Sequence, residues 1–293
     1  MTIATQNSTK GNDPDKAIIS AALTGALTTR DQCESIPYTP EEIAKDAAAA
    51  REVGAAIAHI HARTDEGGQT VDTDVYREIY HEVRDRTDIL INFSTGAVGF
   101  SIEERLDYLR EVQPDIAALN MGSMNYAKYS ESNDEFVFNM VFENSFDDIR
   151  RFVKTMKEAG VKPELECFDT GHIGNSQPFL KSGELQHPLQ FSLIMGVLGG
   201  IPATIENLTD QVRQLPDDSN WQVIGISQDQ WPLVGAALSM GGNVRVGLED
   251  NFYLPSGEMS TNPGLVEKAA KMSRNVGREP ATPDEAREIL GMT

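Results

Sequence analysis

Ala56-Ile57-Ala58-His59-Ile60-His61-Ala62 is a near-continuous apolar run that ends in two histidines one residue apart. Its length suits a strand rather than a helix. The lack of polar alternation marks a strand buried on both faces, as in a parallel sheet. Runs of the same kind recur at 17–23, 89–94, 116–121, 163–167, 189–197, 221–226 and 243–248. Helical patterns fill the intervals. Thr39-Pro40-Glu41-Glu42 is a capping box with proline at the first helical position, and it predicts a helix to about Val53, ahead of Gly54. Apolar residues three and four apart mark helices through Ile102, Leu106, Leu109 and Val112, through Ile201, Ile205, Leu208, Val212 and Leu215, and through Leu265, Ala269, Met272 and Val276. Further helices are expected over 72–86, 145–159, 172–182 and 230–240, with a last short one starting at Thr282-Pro283-Asp284-Glu285. Eight strand–helix units in 293 residues fit an α/β chain folded as a (β/α)8 TIM barrel. A doubly wound sheet fits less well, because it has about five to seven strands.

The barrel is expected to occupy 16–293 as one domain. Residues 1–15 are polar and read as a disordered tail. The longest irregular connection, 122–144, is polar with interspersed aromatics, which suits a lid, a binding loop or a subunit contact. Twenty-five basic and 45 acidic residues give a formal charge of −20, which argues against non-specific nucleic-acid binding. No apolar stretch approaches the ~18 residues of a membrane span, and the polar start lacks a signal peptide's apolar core. A cytoplasmic location is therefore expected. Cys33 and Cys167 are far apart and outside any CxxC, which excludes a disulfide scaffold and a structural zinc module.

In such a barrel the site forms at the C-terminal ends of the strands. The polar residues found there are Thr24, His59, His61, Ser94, Thr95, Asn120, Ser123, Asn125, Glu164, Glu166, Asp169, Gln190, Ser192, Ser227, Arg245, Glu249 and Asp250. Residues i and i+2 of a strand share a face, so His59 and His61 make a half-site for Zn²⁺ or another transition metal. Glu249, at the end of the eighth run, is the candidate third ligand. Asp250 beside it is free to act as a base, or else is a loop carboxylate or helix cap. Arg245, four residues before Glu249 and so expected on the same strand face, could hold an anionic substrate or stabilise an enolate. It could equally pair with Glu164 or Glu166 inside the barrel, which makes Glu166 a further catalytic candidate. Ser94-Thr95-Gly96 offers hydroxyls and backbone N–H groups to a carboxylate, or is an ordinary turn.

Ala21-Ala22-Leu23-Thr24-Gly25-Ala26, Ala58-His59-Ile60-His61-Ala62-Arg63, Phe93-Ser94-Thr95-Gly96, the segment 119–125, Pro163-Glu164-Leu165-Glu166 and Gly247-Leu248-Glu249-Asp250-Asn251 together resemble the β-keto acid cleavage enzyme family over about residues 17–290. The resemblance implies a (β/α)8 barrel, commonly a homotetramer, with one Zn²⁺ per subunit on His59, His61 and Glu249. It implies condensation of a β-keto acid with acetyl-CoA as co-substrate, followed by cleavage to acetoacetate and a new acyl-CoA. Asp250 would be the general base and Arg245 its support, with Ser94, Ser123 and Asn125 at the keto-acid end. Three positions depart from the pattern. Leu27 stands where members that cleave 3-keto-5-aminohexanoate carry a glutamate for the ammonium group, so a substrate with a non-cationic distal group is expected. Ala97 stands where a second glycine can follow the turn, and the residue at Ser123 is often threonine. The competing reading is a zinc-dependent hydrolase or aldolase that uses no coenzyme A. A metal-binding scaffold barrel without activity is the third.

Overall fold

The computed structural model describes residues 10–292. Eight parallel strands close into a barrel: β1 Ile19–Ala22, β2 Ile57–Ile60, β3 Leu90–Phe93, β4 Ile116–Asn120, β5 Lys162–Cys167, β6 Leu189–Met195, β7 Ser219–Gly225 and β8 Asn243–Val246. Each strand pairs with its sequence neighbours, and β8 closes on β1 through Val244–Ile19, Arg245–Ser20 and Val246–Ala21. The expected (β/α)8 barrel is therefore the fold.

The helices begin where their caps put them. Thr39, Ser101, Ser145 and Thr282 each form a reciprocal capping box with the acidic residue three positions on. Apolar stripes such as Ile43, Ala44, Ala47 and Ala50 pack against the strands. Two expectations shift. The helix expected from Ile201 starts at Ile205, because Thr204 supplies the cap and extended backbone precedes it. The helix expected over 172–182 is two short ones, Thr170–Gly174 and Gln177–Lys181. Pro178 lacks an N–H and its ring opposes the carbonyl of residue 174, so one continuous helix is excluded.

The stretch 122–144, expected to be irregular, is an antiparallel hairpin of Met124–Ser130 and Glu135–Phe142. It stands over the C-terminal mouth of the barrel. Ala127 bridges to Leu198, and Asn144 closes its base by donating from its backbone N–H to Ser123 Oγ at 2.8 Å and from Nδ2 to the Gly122 carbonyl at 3.3 Å. Of the tail expected to be disordered, residues 1–9 lie outside the described residues. Lys10–Asp15 is fixed to the barrel: buried Asn12 donates to the carbonyls of Trp221 and Gly241 and accepts from the Trp221 N–H.

The barrel interior below the site is polar, where bulky aliphatic side chains are usual. Buried Glu164 accepts hydrogen bonds from Ser192 Oγ at 2.6 Å, Gln222 Nε2 at 3.1 Å, Gln190 Nε2 at 3.4 Å and Asn92 Nδ2. Ser20 Oγ joins the layer through Gln222. Gln190 and Ser192 thus belong to the floor beneath the mouth rather than to the mouth itself. Cys33 and Cys167 are both buried.

Between the barrel and the helices, half-buried Asp46 accepts from Asn262 Nδ2, which also donates to the Leu23 carbonyl at 3.0 Å. Burial pushes the Asp46 carboxyl up to about 6, against that hydrogen bond. A folded-state pKa above the unfolded one means that ionisation opposes folding. The penalty is absent below about pH 4, grows between about pH 4 and 6, and is constant above. Allowing for partial exposure, it is roughly 1–2 kcal/mol at neutral pH. Asp46→Asn is therefore expected to raise stability by that amount at pH 8 and to leave it unchanged at pH 4, as read by urea unfolding at the two pH values.

Candidate active site

Strand β2 brings His59 to the barrel mouth, and His61 follows just beyond the strand end. Thr24 fixes this point, because its hydroxyl donates to the His61 carbonyl and accepts from the His61 N–H, both at 2.8 Å. The imidazoles lie edge to face with centroids 5.4 Å apart. The same-face expectation from i, i+2 spacing therefore holds for the pair.

Glu249 reaches them by another route than the one expected. β8 ends at Val246, so Glu249 and Arg245 do not share a strand face. The chain turns at Gly247, whose φ of +148° and contact with the Ala22 carbonyl leave no room for a Cβ. Asn262 Oδ1 then accepts from the Leu248 N–H at 2.8 Å, and the Glu249 N–H donates to the Ala22 carbonyl at 3.1 Å. This turn places Glu249 Oε2 3.4 Å from His59 Nε2 and Oε1 3.5 Å from His61 Nε2.

One donor atom from each of His59, His61 and Glu249 falls within 4.8 Å of the others. Among the described residues, His59 Nε2 and Glu249 Oε2 are buried without a hydrogen-bond partner. Buried polar atoms are rarely left unpaired, and two imidazoles with a carboxylate form a common catalytic donor set for zinc. The residues present fit a divalent metal.

Arg245 organises the carboxylates. It holds Asp250 bidentately, Nε to Oδ2 at 2.9 Å and Nη2 to Oδ1 at 2.8 Å, and reaches Glu249 Oε1 at 2.7 Å and Glu166 Oε1 at 3.4 Å. It does not meet Glu164, which stays in the floor layer. Burial raises the Glu166 carboxyl to about 7 against the pull of Arg245. Burial also acts on Glu249, but the charges of Arg245 and of the two histidines outweigh it and hold that carboxyl well below its usual range. Burial opposes the charged form of His59, yet Glu249 outweighs it and raises the imidazole; at His61 burial wins and the value falls. Three carboxylates around one guanidinium leave an excess of negative charge that a divalent cation would neutralise.

His61, Glu166, Arg245, Glu249 and Asp250 form one wall of a pocket of about 180 Å³, lined also by Ser94, Gly96, Asn120, Leu27, Val98, Tyr126, Phe142 and Phe168; His59 lies behind this wall. Not every predicted site residue lines it. Thr95 turns away and donates to the Ala118 carbonyl at 2.6 Å. Ala97 packs against the core. Ser123 and Asn125 are exposed at the base of the hairpin, Ser123 being engaged by Asn144.

The family described as beta-keto acid cleavage enzyme matches residues 16–292. The chain belongs to that family. It is 38% identical over 281 residues to a 3-keto-5-aminohexanoate cleavage enzyme of Fusobacterium nucleatum, covering 95% of this chain and 98% of that one. It is 34% identical over 296 residues to a 3,5-dioxohexanoate:acetyl-CoA acetone transferase of Paraburkholderia graminis, covering 94% and 95%. Among solved structures, apo ObcA is similar in fold, with a TM-score of 0.75 and 20% identity over 88% of this chain and 66% of that one. This member of the β-keto acid cleavage enzyme family is accordingly an enzyme, of the acyltransferase type.

Sequence reading missed several residues that shape the pocket of this family member. Arg63 donates to the carbonyls of Gly25, Thr28 (2.8 Å) and Gly67, so it holds the loop that carries Leu27. The signal was present, since a charged residue two positions after His61 is unusual at a buried strand end. Tyr126 and Phe142 belong to the connection expected to be a lid or binding loop, but which of its aromatics face the pocket is decided only when the hairpin forms; Phe168, directly after β5, gave no signal.

Arg245→Met would leave Glu166, Glu249 and Asp250 buried without a cation. It is expected to destabilise the metal-free protein by roughly 3–5 kcal/mol, as measured by chemical unfolding.

Proposed function

We propose that this family member is a zinc-dependent enzyme that takes a β-keto acid and acetyl-CoA to acetoacetate and a new acyl-CoA. The observation that carries the reading is the convergence of His59, His61 and Glu249 beside the Arg245–Asp250 pair, in a pocket closed by Ser94, Gly96 and Asn120. The relatives' names, which include acetyl-CoA and oxo acids, support it.

His59, His61 and Glu249 would hold one zinc ion per subunit. Bound there, it would polarise the keto oxygen and stabilise negative charge on it. Asp250, aligned by both nitrogens of Arg245, takes the proton from the carbon between the keto and carboxylate groups. That carbon bonds to the thioester carbonyl carbon as the coenzyme A thiolate leaves. The thiolate then adds to the original keto carbon, the old carbon–carbon bond breaks, and the released carbon regains its proton. Atoms and electrons balance with no redox partner. Ser94, whose Oγ accepts from the Gly96 N–H at 3.2 Å, and Asn120 present hydroxyl and amide groups to the substrate carboxylate; in this arrangement Ser123 and Asn125 take part only through a shift of the hairpin base.

The rest of the pocket includes apolar Leu27, Val98, Val197 and Ile226, and among the described residues its charged lining is the Arg245 cluster. An ammonium group buried there would lack a partner, at a cost of about 1–3 kcal/mol. The favoured substrate therefore carries an uncharged or apolar distal group. A homotetramer is also part of this reading, supported by the apolar residues exposed on the hairpin, Phe136, Val137 and Val141. Light scattering should then give a mass near four times 32.1 kDa.

A panel of β-keto acids with acetyl-CoA, with zinc measured on the same sample, tests the function. Acetoacetate should form only when both substrates are present, and kcat/KM for 3-ketohexanoate should exceed that for 3-keto-5-aminohexanoate by about tenfold or more. Equal values would remove the distal-group assignment, and turnover without a thioester would favour a hydrolase or aldolase. His59→Ala should lower the zinc content well below one per subunit. Asp250→Asn should keep the zinc and lose on the order of 10²–10⁴ in kcat.

A further inference from the structure

The pocket opens onto an outer groove of about 670 Å³, running between the hairpin and the loops after β6 to β8. The inner pocket is too small for more than the keto acid. If the function proposed above holds, the long pantetheine arm of the thioester must lie outside it. The reacting carbons must touch, so the thioester carbonyl has to sit where the two spaces meet.

The residues that line both spaces define that junction. Leu27, Val197 and Ile226 offer only apolar surface, and Glu249 and Asp250 offer only acceptors. Thr28 has a hydroxyl, but it already donates to the Thr24 carbonyl at 2.7 Å. Tyr126 is the remaining side chain. Its ring is wedged between Phe138 and Phe142, with centroids 5.2 and 6.0 Å away. Among the described residues no hydrogen bond engages its hydroxyl.

We propose that Tyr126 is the side-chain hydrogen-bond donor to the thioester carbonyl oxygen, and so a substrate-contacting catalytic residue supplied by the hairpin. Negative charge builds on that oxygen when the keto-acid carbon bonds to the thioester carbon, and returns to it when the old carbon–carbon bond breaks and releases the acetoacetate enolate, whose charge this oxygen shares. A donor fixed at that point stabilises both. Burial, with the nearby charges of Glu249, Asp250 and Glu166, pushes the phenol up to about 12, so it stays protonated and can donate. The proposal rests on the acetyl-CoA-dependent reading of the site.

Tyr126→Phe keeps the ring packing and removes only the hydroxyl. With 3-ketohexanoate and acetyl-CoA, kcat is expected to fall on the order of 10²-fold, with the KM for the keto acid little changed and zinc content and melting temperature preserved. An unchanged kcat would overturn the proposal. So would a loss confined to the KM of the keto acid, which would put the hydroxyl on the other substrate. Wild-type protein without acetyl-CoA-dependent turnover would instead overturn the function itself, a result distinct from either.

Discussion

One buried guanidinium has to satisfy three carboxylates that approach it from different parts of the chain. Arg245 is on β8, Glu166 ends β5 across the barrel, and Glu249 and Asp250 sit on the turn that follows β8. A charge at this depth is tolerable only when its donors are used, and Arg245 uses both Nη nitrogens and Nε. Because the fork is planar and rigid, it sets where each carboxylate can point. Asp250 is held along its bidentate edge. Glu249 is held by one oxygen only, which leaves Oε2 free to face His59. The division of labour between the two neighbouring carboxylates therefore follows from how many nitrogens each receives.

The barrel carries this arrangement because its interior was built to take polar groups. Glu164 sits one strand alternation below Glu166, surrounded by Asn92, Gln190, Ser192 and Gln222 in place of aliphatic layers. Its oxygens are satisfied by neutral donors, so it makes no demand on Arg245. At the top, Tyr126 and Phe142 of the hairpin, with Phe168 after β5, replace solvent and close a low-dielectric pocket over charges that would be weak in water. Floor and lid thus serve the same cluster from opposite sides.

How much of this could be read beforehand depended on the range of the interaction. His59 and His61 were legible as a pair because strand alternation is local. The capping boxes at Thr39 and Thr282 were legible for the same reason. Arg245 was expected to meet substrate or to pair with Glu164 or Glu166; its bonds to Glu249 and Asp250 were not legible, because they depend on the Gly247 turn. The hairpin over 122–144 was not legible as strands: its exposed apolar residues fall on both faces, so no period-two signal separates inside from outside. Thr95, Ser123 and Asn125 show the same limit from the other side. Their residue types suit a carboxylate site, but direction is set by contacts with Ala118 and Asn144 that no local pattern encodes.

The sequence by itself determined the eight strand–helix units, their order, the family and the donor types gathered at strand ends. All of these follow from periodicity, capping chemistry and short motifs, which act over a few residues. Only the tertiary structure decided which of those polar residues meet. Barrel closure brings β8 beside β1 and opposite β5, the Gly247 turn aims Glu249 at the histidines, and the hairpin folds back to place Tyr126 at the mouth. Each is a long-range contact, fixed when distant segments compete for the same buried volume and the same few hydrogen-bond partners.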